Sequence, residues 1–355
     1  MKKITIWLVV VALAASMALF GLACKATATT VAETTAAETT IAETSAAETS
    51  AAAETTNTGK KVIGLSMPGL NAPYFAGYMP AIEKAAKDAG YELVVMDAEW
   101  DPAKQANQID TLMSKKVDAI VVSAADAAAI IPSLKKAKEA GFIVWCSNAQ
   151  PGPEGYKYVY GFSGANCMLQ AETLASQVII PDFQALGFSK DKPANMVMIM
   201  GTPGSTAVNE RDMGYENKIL ESGIINLLAK QPGNWVKEDS MKAMQNLLVA
   251  YGDQIDGVYA HDDTMAVGAW LALEAAGYKP GDMIIYGIGG SKEGLAAIKD
   301  GIIKTTILQS PVQDGTMPIE ALKKIFAGEE VKFLQWIDPV IITKDNVDQY
   351  LPGEW

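Results

Sequence analysis

The sequence predicts an α/β fold in which parallel sheets are covered by helices on both faces. Three observations support this class. Short apolar runs recur between residues 61 and 355, segments with helical spacing of apolar residues separate these runs, and the 295 residues of this region suffice for two ordinary domains. The composition, 49% hydrophobic and 20% charged, is typical of a globular protein.

The predicted strands are the short apolar runs that glycine, proline or polar residues bound. Pro68, Gly69 and Pro73 end the first of them. Because the runs are apolar throughout rather than alternating, both faces of each sheet should be buried. These strands are residues 62–66, 93–96, 119–122, 142–145, 159–162, 196–200, 257–259, 283–286 and 305–308.

The predicted helices lie between the strands, where apolar residues return at steps of three and four. The first covers residues 75–89, and Gly90 follows it at the position where a glycine commonly ends a helix. Gly141 ends the third in the same way. The remaining helices include residues 106–113, 130–140, 244–250 and 264–276.

Residues 1–23 have the pattern of an export signal. Lys2 and Lys3 precede a charge-free run, and Cys24 follows small residues, as in a bacterial lipoprotein signal whose cysteine thiol is acylated. Gly21 stands where such signals usually carry an aliphatic residue. An uncleaved helix over residues 4–23 is the alternative, since this run is long enough to span a membrane. Both interpretations predict an exported protein tethered to a membrane, in the periplasm or at the cell surface.

Residues 24–60 are predicted to form a lipid-anchored, disordered spacer. Glutamate recurs at every fifth position, at 33, 38, 43 and 48, so these side chains do not share one face of a helix. The segment has almost no large apolar residues to offset the entropy cost of ordering. As a random coil it would reach roughly 30 Å. A glycosylated or wall-spanning stalk is the alternative.

Charge and residue usage exclude several classes of function. A net charge of −12 and a pI near 4.7 argue against a nucleic-acid partner. With His261 as the only histidine there is no Cys/His cluster, which argues against zinc sites and histidine-based catalysis. Residues 201–206 lack the lysine of a phosphate loop, residues 287–290 fail the dinucleotide spacing, and no segment matches a calcium loop. We therefore expect no cofactor, no metal and no enzymatic activity.

Cys146 and Cys167 are the remaining cysteines. Because cysteine is among the most often buried residues, two buried thiols are favoured over a disulfide, although pairing stays open.

In parallel sheets, ligands bind outside the carboxyl ends of the strands, so the residues that follow each strand are the candidates. Aromatic, amide, carboxylate and cationic side chains occupy these positions. Aromatic faces pack against C–H surfaces and polar groups bind hydroxyls, which is the chemistry of a small polyhydroxylated ligand. The candidate ligand-binding residues are Asn71, Tyr74, Phe75, Ser123, Asn148, Arg211, Trp235, Lys237, Asp262 and Gln309.

Several motifs recur in the order and spacing of one family. They include Asn-Ala-Pro-Tyr-Phe at 71–75, Asp-Pro-Ala-Lys-Gln at 101–105, Gln-Pro-Gly-Asn-Trp at 231–235 and the segment 262–269. Through them, residues 61–355 resemble type I periplasmic binding proteins of sugar ABC transporters, especially the ribose-binding group.

This resemblance implies two doubly wound parallel-sheet lobes joined by a three-strand hinge. The chain would cross between the lobes near Ala165, Gln309 and Ile337. The N-terminal lobe would then comprise residues 61–165 plus 310–337. The C-terminal lobe would comprise residues 166–309 plus 338–355.

The resemblance also implies roles for the candidate residues. Tyr74 and Phe75 match the family's paired stacking aromatics, and Trp235 matches the aromatic on the opposite face. Arg211 and Lys237 stand at the hydroxyl-binding cations. The remaining matched polar contacts are Ser123, Asp262 and Gln309.

Three departures change the expected ligand. Asn148-Ala149 stands where the ribose-binding type has Asp-Arg, Gly289 replaces an Asp, and Ala72 replaces a polar contact beside Asn71. A charge-assisted hydrogen bond contributes roughly 1.5–3 kcal/mol, so these losses would weaken ribose binding by orders of magnitude. Another pentose, a hexose, a polyol, a sugar acid or another small oxygenated ligand fits as well.

The leading hypothesis is a monomeric extracytoplasmic solute-binding protein. It would capture a monosaccharide or polyol between its lobes and deliver it to the permease of an ABC importer. A sugar-sensing receptor for chemotaxis or for a sensor kinase is the alternative, since the same closed form could dock on either partner.

Overall fold

The computed structural model describes residues 59–355. The predicted signal peptide, the acylated Cys24 and nearly all of the spacer lie outside these described residues. Within residues 59–355, no helix combines the length and the apolar character needed to cross a membrane.

Residues 59–355 form twelve strands, and most of them coincide with the apolar runs of the sequence. In chain order they are β1 (Val62–Met67), β2 (Glu92–Asp97), β3 (Ala119–Val122), β4 (Ile143–Ser147), β5 (Gly161–Ala165), β6 (Ala194–Met200), β7 (Ile225–Pro232), β8 (Gly257–Ala260), β9 (Ile284–Tyr286), β10 (Thr305–Ile307), β11 (Leu334–Ile337) and β12 (Ile341–Thr343).

Helices alternate with these strands along the chain. They are α1 (Phe75–Asp88), α2 (Pro102–Ser114), α3 (Ile131–Glu139), α4 (Cys167–Leu174), α5 (Ile180–Ala185), α6 (Thr206–Ser222), α7 (Lys237–Tyr251), α8 (Asp263–Ala275), α9 (Lys292–Lys299) and α10 (Pro311–Phe326).

The strands form two six-stranded sheets of matching order. The first has the order β11-β5-β4-β3-β1-β2, and the second has the order β12-β10-β9-β8-β6-β7. All pairs are parallel except β10 with β12, where the last strand adds an antiparallel edge. The predicted α/β fold of two parallel-sheet lobes is therefore confirmed.

The central strands are apolar because helices cover both faces of each sheet. All four residues of β3 are buried, as are all four of β8. In the first lobe α1 packs against α10, and in the second lobe α4 packs against α6 and α7 against α8. Each lobe thus has the layered helix–sheet–helix arrangement that the alternating pattern predicts.

The chain passes between the two sheets three times within residues 59–355. It crosses after β5 at Ala165, after β10 around Gln309, and between β11 and β12 after Ile337. The lobe boundaries that the sequence resemblance implies stay a prediction.

Three strands were not predicted from the sequence, and all three lie at a sheet edge. β7 reads Ile-Asn-Leu-Leu-Ala-Lys-Gln-Pro and is mostly half-buried, so it presents no continuous apolar run. β11 and β12 are short edge strands of the same mixed character. In addition, β5 starts two residues later than predicted, because a 3₁₀ turn occupies Pro153–Tyr158.

Cys146 and Cys167 are both buried free thiols. Burial raises the pKa of each thiol to about 12, so neither is a reactive thiolate near neutral pH.

Candidate functional site

A cavity lies at the carboxyl ends of strands from both sheets. The space between its walls is about 630 Å³, a figure that includes open solvent. The residues that the first lobe contributes, here called the first-lobe wall, are Pro68, Ala72, Tyr74, Phe75, Trp100, Ala124, Asn148 and Ala149. The second-lobe wall consists of Cys167, Ser205, Ala207, Arg211, Trp235, Asp262, Ile288, Gly289, Gln309 and Trp355.

Tyr74 and Phe75 stand at the start of α1, directly after the loop that leaves β1. Phe75 is buried, and its ring meets the Tyr74 ring edge-on with centroids 5.8 Å apart. The Tyr74 hydroxyl donates to Asp314 Oδ2 at 2.8 Å. This bond fixes the Tyr74 ring against the cavity.

Trp235 lies on the opposite wall, three residues after the end of β7. Asn234 and Trp235 both have left-handed backbone conformations, with φ of 54° and 64°. Such conformations are uncommon for residues other than glycine and often occur at functional sites. The indole lies across the backbone of Gly201, where a Cβ atom would overlap the ring.

Trp100 repeats this geometry in the first lobe, three residues after the end of β2. Glu99 and Trp100 have φ of 53° and 62°. The indole covers Gly69, where a Cβ would overlap it, and its Nε1 donates to Asn71 Oδ1 at 2.7 Å. Sequence reasoning missed Trp100, although its position after an edge strand matches that of Trp235.

Arg211, in the second turn of α6, is buried and held in place by three acceptors. Its Nη1 donates to the His261 carbonyl at 2.6 Å, and its Nη2 donates to Gln309 Oε1 at 2.6 Å and to Gln170 Oε1 at 3.1 Å. The guanidinium carbon lies 5.7 Å from the Trp235 ring centroid. Nε of Arg211 has no hydrogen-bond partner within residues 59–355.

Asp262 caps the N-terminus of α8, and it also lines the cavity. Its Oδ1 accepts a hydrogen bond from the Met265 amide at 2.7 Å. Burial raises the pKa of this carboxyl to about 7, and the neighbouring Asp263 acts in the same direction. Asp262 therefore acts as a helix cap, and its role in ligand binding stays a prediction.

Asn148 of the first-lobe wall is half-buried and pairs with Asp314, which is buried behind that wall. Asn148 Nδ2 donates to Asp314 Oδ2 at 2.9 Å, and Ser123 Oγ donates to Asn148 Oδ1 at 3.3 Å. Burial raises the pKa of Asp314 to about 7, although the hydrogen bonds from Asn148 and Tyr74 act in the opposite direction. Sequence reasoning missed Asp314 because it lies inside α10 rather than after a strand.

Trp355 also lines the cavity, and no sequence motif pointed to it. Its ring meets Tyr74 edge-on at 5.5 Å between centroids, and its carbonyl accepts a hydrogen bond from the Lys292 amide at 2.7 Å. Gly289, with φ of 145°, makes room for it, since a Cβ there would lie 2.7 Å from the indole. Nε1 of Trp355 is buried without a partner among the described residues.

Three candidate residues do not line the cavity. Asn71 and Ser123 instead hold Trp100 and Asn148, which do. Lys237 begins α7, and its ammonium group forms an ion pair with Glu293 of α9. The other candidates, Tyr74, Phe75, Asn148, Arg211, Trp235, Asp262 and Gln309, come together around the one cavity.

The described part of the chain contains no group of three or more His, Cys, Asp or Glu side chains that could hold a metal ion. What the cavity offers is therefore stacking surface together with amide, carboxylate and guanidinium groups.

A family model described as periplasmic binding protein domain matches residues 63–330. Among curated proteins, a ribose import binding protein of Bacillus subtilis (strain 168) is 31% identical over 286 residues, which cover 78% of this chain and 86% of that protein. A xylitol-binding protein of Mycolicibacterium smegmatis is 31% identical over 304 residues, covering 82% and 80% of the two chains.

Among solved structures, a similar one is an ABC transporter solute binding protein from Bacillus halodurans C-125 with bound myo-inositol. It superimposes with a TM-score of 0.75 at 26% sequence identity, over 85% of this chain and all of that one.

Proposed function

The chain belongs to the periplasmic binding protein family, and from this premise we propose that it captures a monosaccharide or polyol between its two lobes. It then delivers the ligand unchanged to the permease of an ABC importer. The related ribose, xylitol and myo-inositol binding proteins support this class of ligand.

The observation that carries the proposal is the convergence of stacking and polar groups from both lobes. Tyr74 and Phe75 of the first lobe face the same cavity as Trp235 of the second. Arg211 and Asp262 also line that cavity. Rings suit the C–H faces of a sugar, and the charged groups suit its hydroxyls.

Because the cavity has walls from both lobes, a ligand contacts both only when the lobes are together. The ligand therefore shifts the population toward the closed form. In this proposal, the closed form is the one that the permease recognises.

We further propose that the protein works outside the cytoplasm as a lipid-anchored monomer. The basic start, the apolar run and Cys24 support acylation at that cysteine. Residues 24–60 would then hold the two lobes at a distance from the lipid surface.

The test is a thermal-shift screen of the purified protein with D-ribose, xylitol, myo-inositol and D-allose, followed by calorimetric titration of each compound that raises the melting temperature. A ligand that binds only the folded state at 100 times its Kd stabilises by about 2.7 kcal/mol, which a melting curve resolves. Failure of every sugar and polyol to bind would reject the proposal.

A further inference from the structure

The two walls of the cavity differ in chemistry. The first-lobe wall presents three rings and three methyl groups, from Tyr74, Phe75, Trp100, Ala72, Ala124 and Ala149. Ala72, Ala124 and Ala149 are buried, so their methyl groups pack close to the edge of a ligand in the cavity.

The polar side-chain atoms of the first-lobe wall are already engaged by the protein. The Tyr74 hydroxyl and Asn148 Nδ2 both donate to Asp314 Oδ2, at 2.8 and 2.9 Å. Asn148 Oδ1 accepts from Ser123, and Trp100 Nε1 donates to Asn71. A ligand that touches this wall therefore meets mainly rings and methyl groups, and the second Nδ2 proton of Asn148 is the side-chain donor left over there among residues 59–355.

The second-lobe wall, in contrast, contains polar side-chain atoms that have no protein partner in the described part of the chain. Nε of Arg211 and Nε1 of Trp355 are buried donors without a partner within residues 59–355. In the same described region, the Asp262 side chain accepts a hydrogen bond from the Met265 amide alone, which leaves its second carboxylate oxygen for a ligand. The residues of this wall thus hold two unpaired donors and one unpaired acceptor, as far as the described residues go.

A ligand hydroxyl that faces the rings and methyl groups of the first-lobe wall would lose its water hydrogen bonds without gaining protein ones, which costs binding free energy. A hydroxyl that faces the second-lobe wall would gain partners, and the protein's buried donors would gain an acceptor. We infer that the ligand is a carbohydrate or cyclitol with one hydroxyl-poor edge, as in a deoxy sugar. That edge lies against the first-lobe wall, and the hydroxylated edge lies against Arg211, Asp262 and Trp355.

This inference rests on the proposed function and narrows its ligand class. Its test compares compounds that differ by one hydroxyl, by calorimetric titration of the full folded protein. The pairs are D-fucose with D-galactose, L-rhamnose with L-mannose, 2-deoxy-D-ribose with D-ribose, and vibo-quercitol with myo-inositol. We expect the tightest binder to be a deoxy compound with a Kd at least about tenfold below that of its hydroxylated partner.

Two matched variants test which of the two walls causes the preference for a deoxy compound. Ala149→Ser adds a hydroxyl to the first-lobe wall, and Ala207→Ser makes the same change on the second-lobe wall. We expect Ala149→Ser to shift the ratio of Kd values at least threefold toward the hydroxylated member of the best pair. We expect Ala207→Ser to shift that ratio by a smaller factor than Ala149→Ser does.

The outcomes separate the two proposals. If a hydroxylated compound binds best, or the deoxy advantage stays below tenfold, the inference is wrong and the proposed function stands. If both serine variants shift the ratio equally, the assignment of the apolar edge to the first lobe is wrong. If none of the eight compounds binds, both proposals are rejected.

Discussion

At the residue scale, the site depends on two tryptophans that share an uncommon backbone conformation and the same kind of packing against a glycine. Trp100 and Trp235 each occupy a left-handed conformation and lie across a glycine of the neighbouring strand end. A left-handed conformation costs free energy in a residue with a Cβ, so the packing of each indole must outweigh it. The glycines are therefore part of the site although neither offers a functional group.

A double-mutant cycle tests this dependence. Trp235→Ala should weaken binding of the tightest sugar or polyol by about 1–3 kcal/mol, through lost stacking and apolar contact. Gly201→Ala should weaken it comparably, because a Cβ there overlaps the indole. In the Trp235→Ala background the Gly201→Ala change should cost nothing further.

Calorimetry of the four proteins measures the cycle, and Tyr160→Ala, an exposed aromatic outside the cavity, is the control. Additive effects of the two substitutions would contradict the proposed support of Trp235 by Gly201.

Buried carboxyl groups predict a pH dependence of stability. Burial raises the pKa values of Asp262, Asp314 and Glu210 to about 7. The folded protein therefore keeps these protons at pH values where the unfolded chain releases them. The contribution of these three groups to the free energy of unfolding should be largest near pH 4 and should fall as the pH rises toward 7.

Asp314→Asn should flatten part of this slope, because the amide supplies an acceptor for Tyr74 and Asn148 without a titratable proton. Urea unfolding at pH 4 to 8 measures it, with the exposed Asp253→Asn as the control. An unchanged slope in Asp314→Asn would show that Asp314 is ionised across this range.

The candidate residues that could be predicted from the sequence follow strands, whereas Asp314 and Trp100 were missed for different reasons. Tyr74, Arg211 and Asp262 could be found because parallel strands bring their carboxyl ends together. Asp314 lies within a helix, and the left-handed backbone that places Trp100 cannot be read from residue type. Asn71 and Ser123 were predicted to contact the ligand. Their side chains instead form hydrogen bonds with site residues and do not line the cavity.

At the element scale, the central strands are predictable and the edge strands are less so. β3 and β8 are buried on both faces, so their composition alone identifies them. β7 lies at an edge, where exposed polar residues such as Asn226 and Lys230 interrupt the apolar pattern. Yet β7 positions Trp235, so an element that sequence patterns identify poorly carries a central part of the site.

At the start of helix α8, two substitutions can separate the helix-capping role of Asp262 from its proposed role in ligand binding. Asp262→Asn keeps a side-chain oxygen for the Met265 amide, so stability should change little, while ligand affinity should fall because the charge is lost. Asp262→Ala should lose both, with a stability cost of about 1 kcal/mol.

Thermal melts and calorimetry of the two variants distinguish these effects. If Asp262→Asn binds as tightly as the unmodified protein, Asp262 serves as a helix cap and does not contact the ligand.

At the scale of the whole molecule, hydrogen bonds join the two lobes beside the cavity. Gln150 Nε2 of the first lobe donates to Glu210 Oε1 of the second at 2.8 Å, and the Ala127 amide donates to the Gly204 carbonyl at 3.3 Å. The Thr206 hydroxyl also donates to the Gln150 carbonyl. These contacts stabilise the closed arrangement independently of any ligand.

Gln150→Ala should therefore shift the protein toward the open form and weaken ligand binding about fivefold, the equivalent of one hydrogen bond of about 1 kcal/mol. Small-angle scattering without ligand should give a larger radius of gyration than for the unmodified protein. Gln335→Ala, which changes a glutamine whose hydrogen bond lies within the first lobe, is the control. Equal radii and affinities would show that the contact does not hold the lobes together.

The overall architecture was predictable because two independent signals agreed. Alternation of apolar runs and helical spacing indicated parallel sheets, and the order of the motifs implied two lobes with three crossings. The antiparallel β12 was not predictable, since three residues of mixed burial at an edge carry almost no pattern.

The three crossings between the lobes also constrain when each lobe can fold during synthesis. The first lobe needs α10 and β11, whose residues follow β6 to β10 of the second lobe in the sequence. The bond between Tyr74 and Asp314 joins positions 240 residues apart. Domains commonly fold one after another as synthesis proceeds from the amino end. Here neither half can mature ahead of the other, so an emerging chain stays incomplete until residues 311–343 are free to join both sheets.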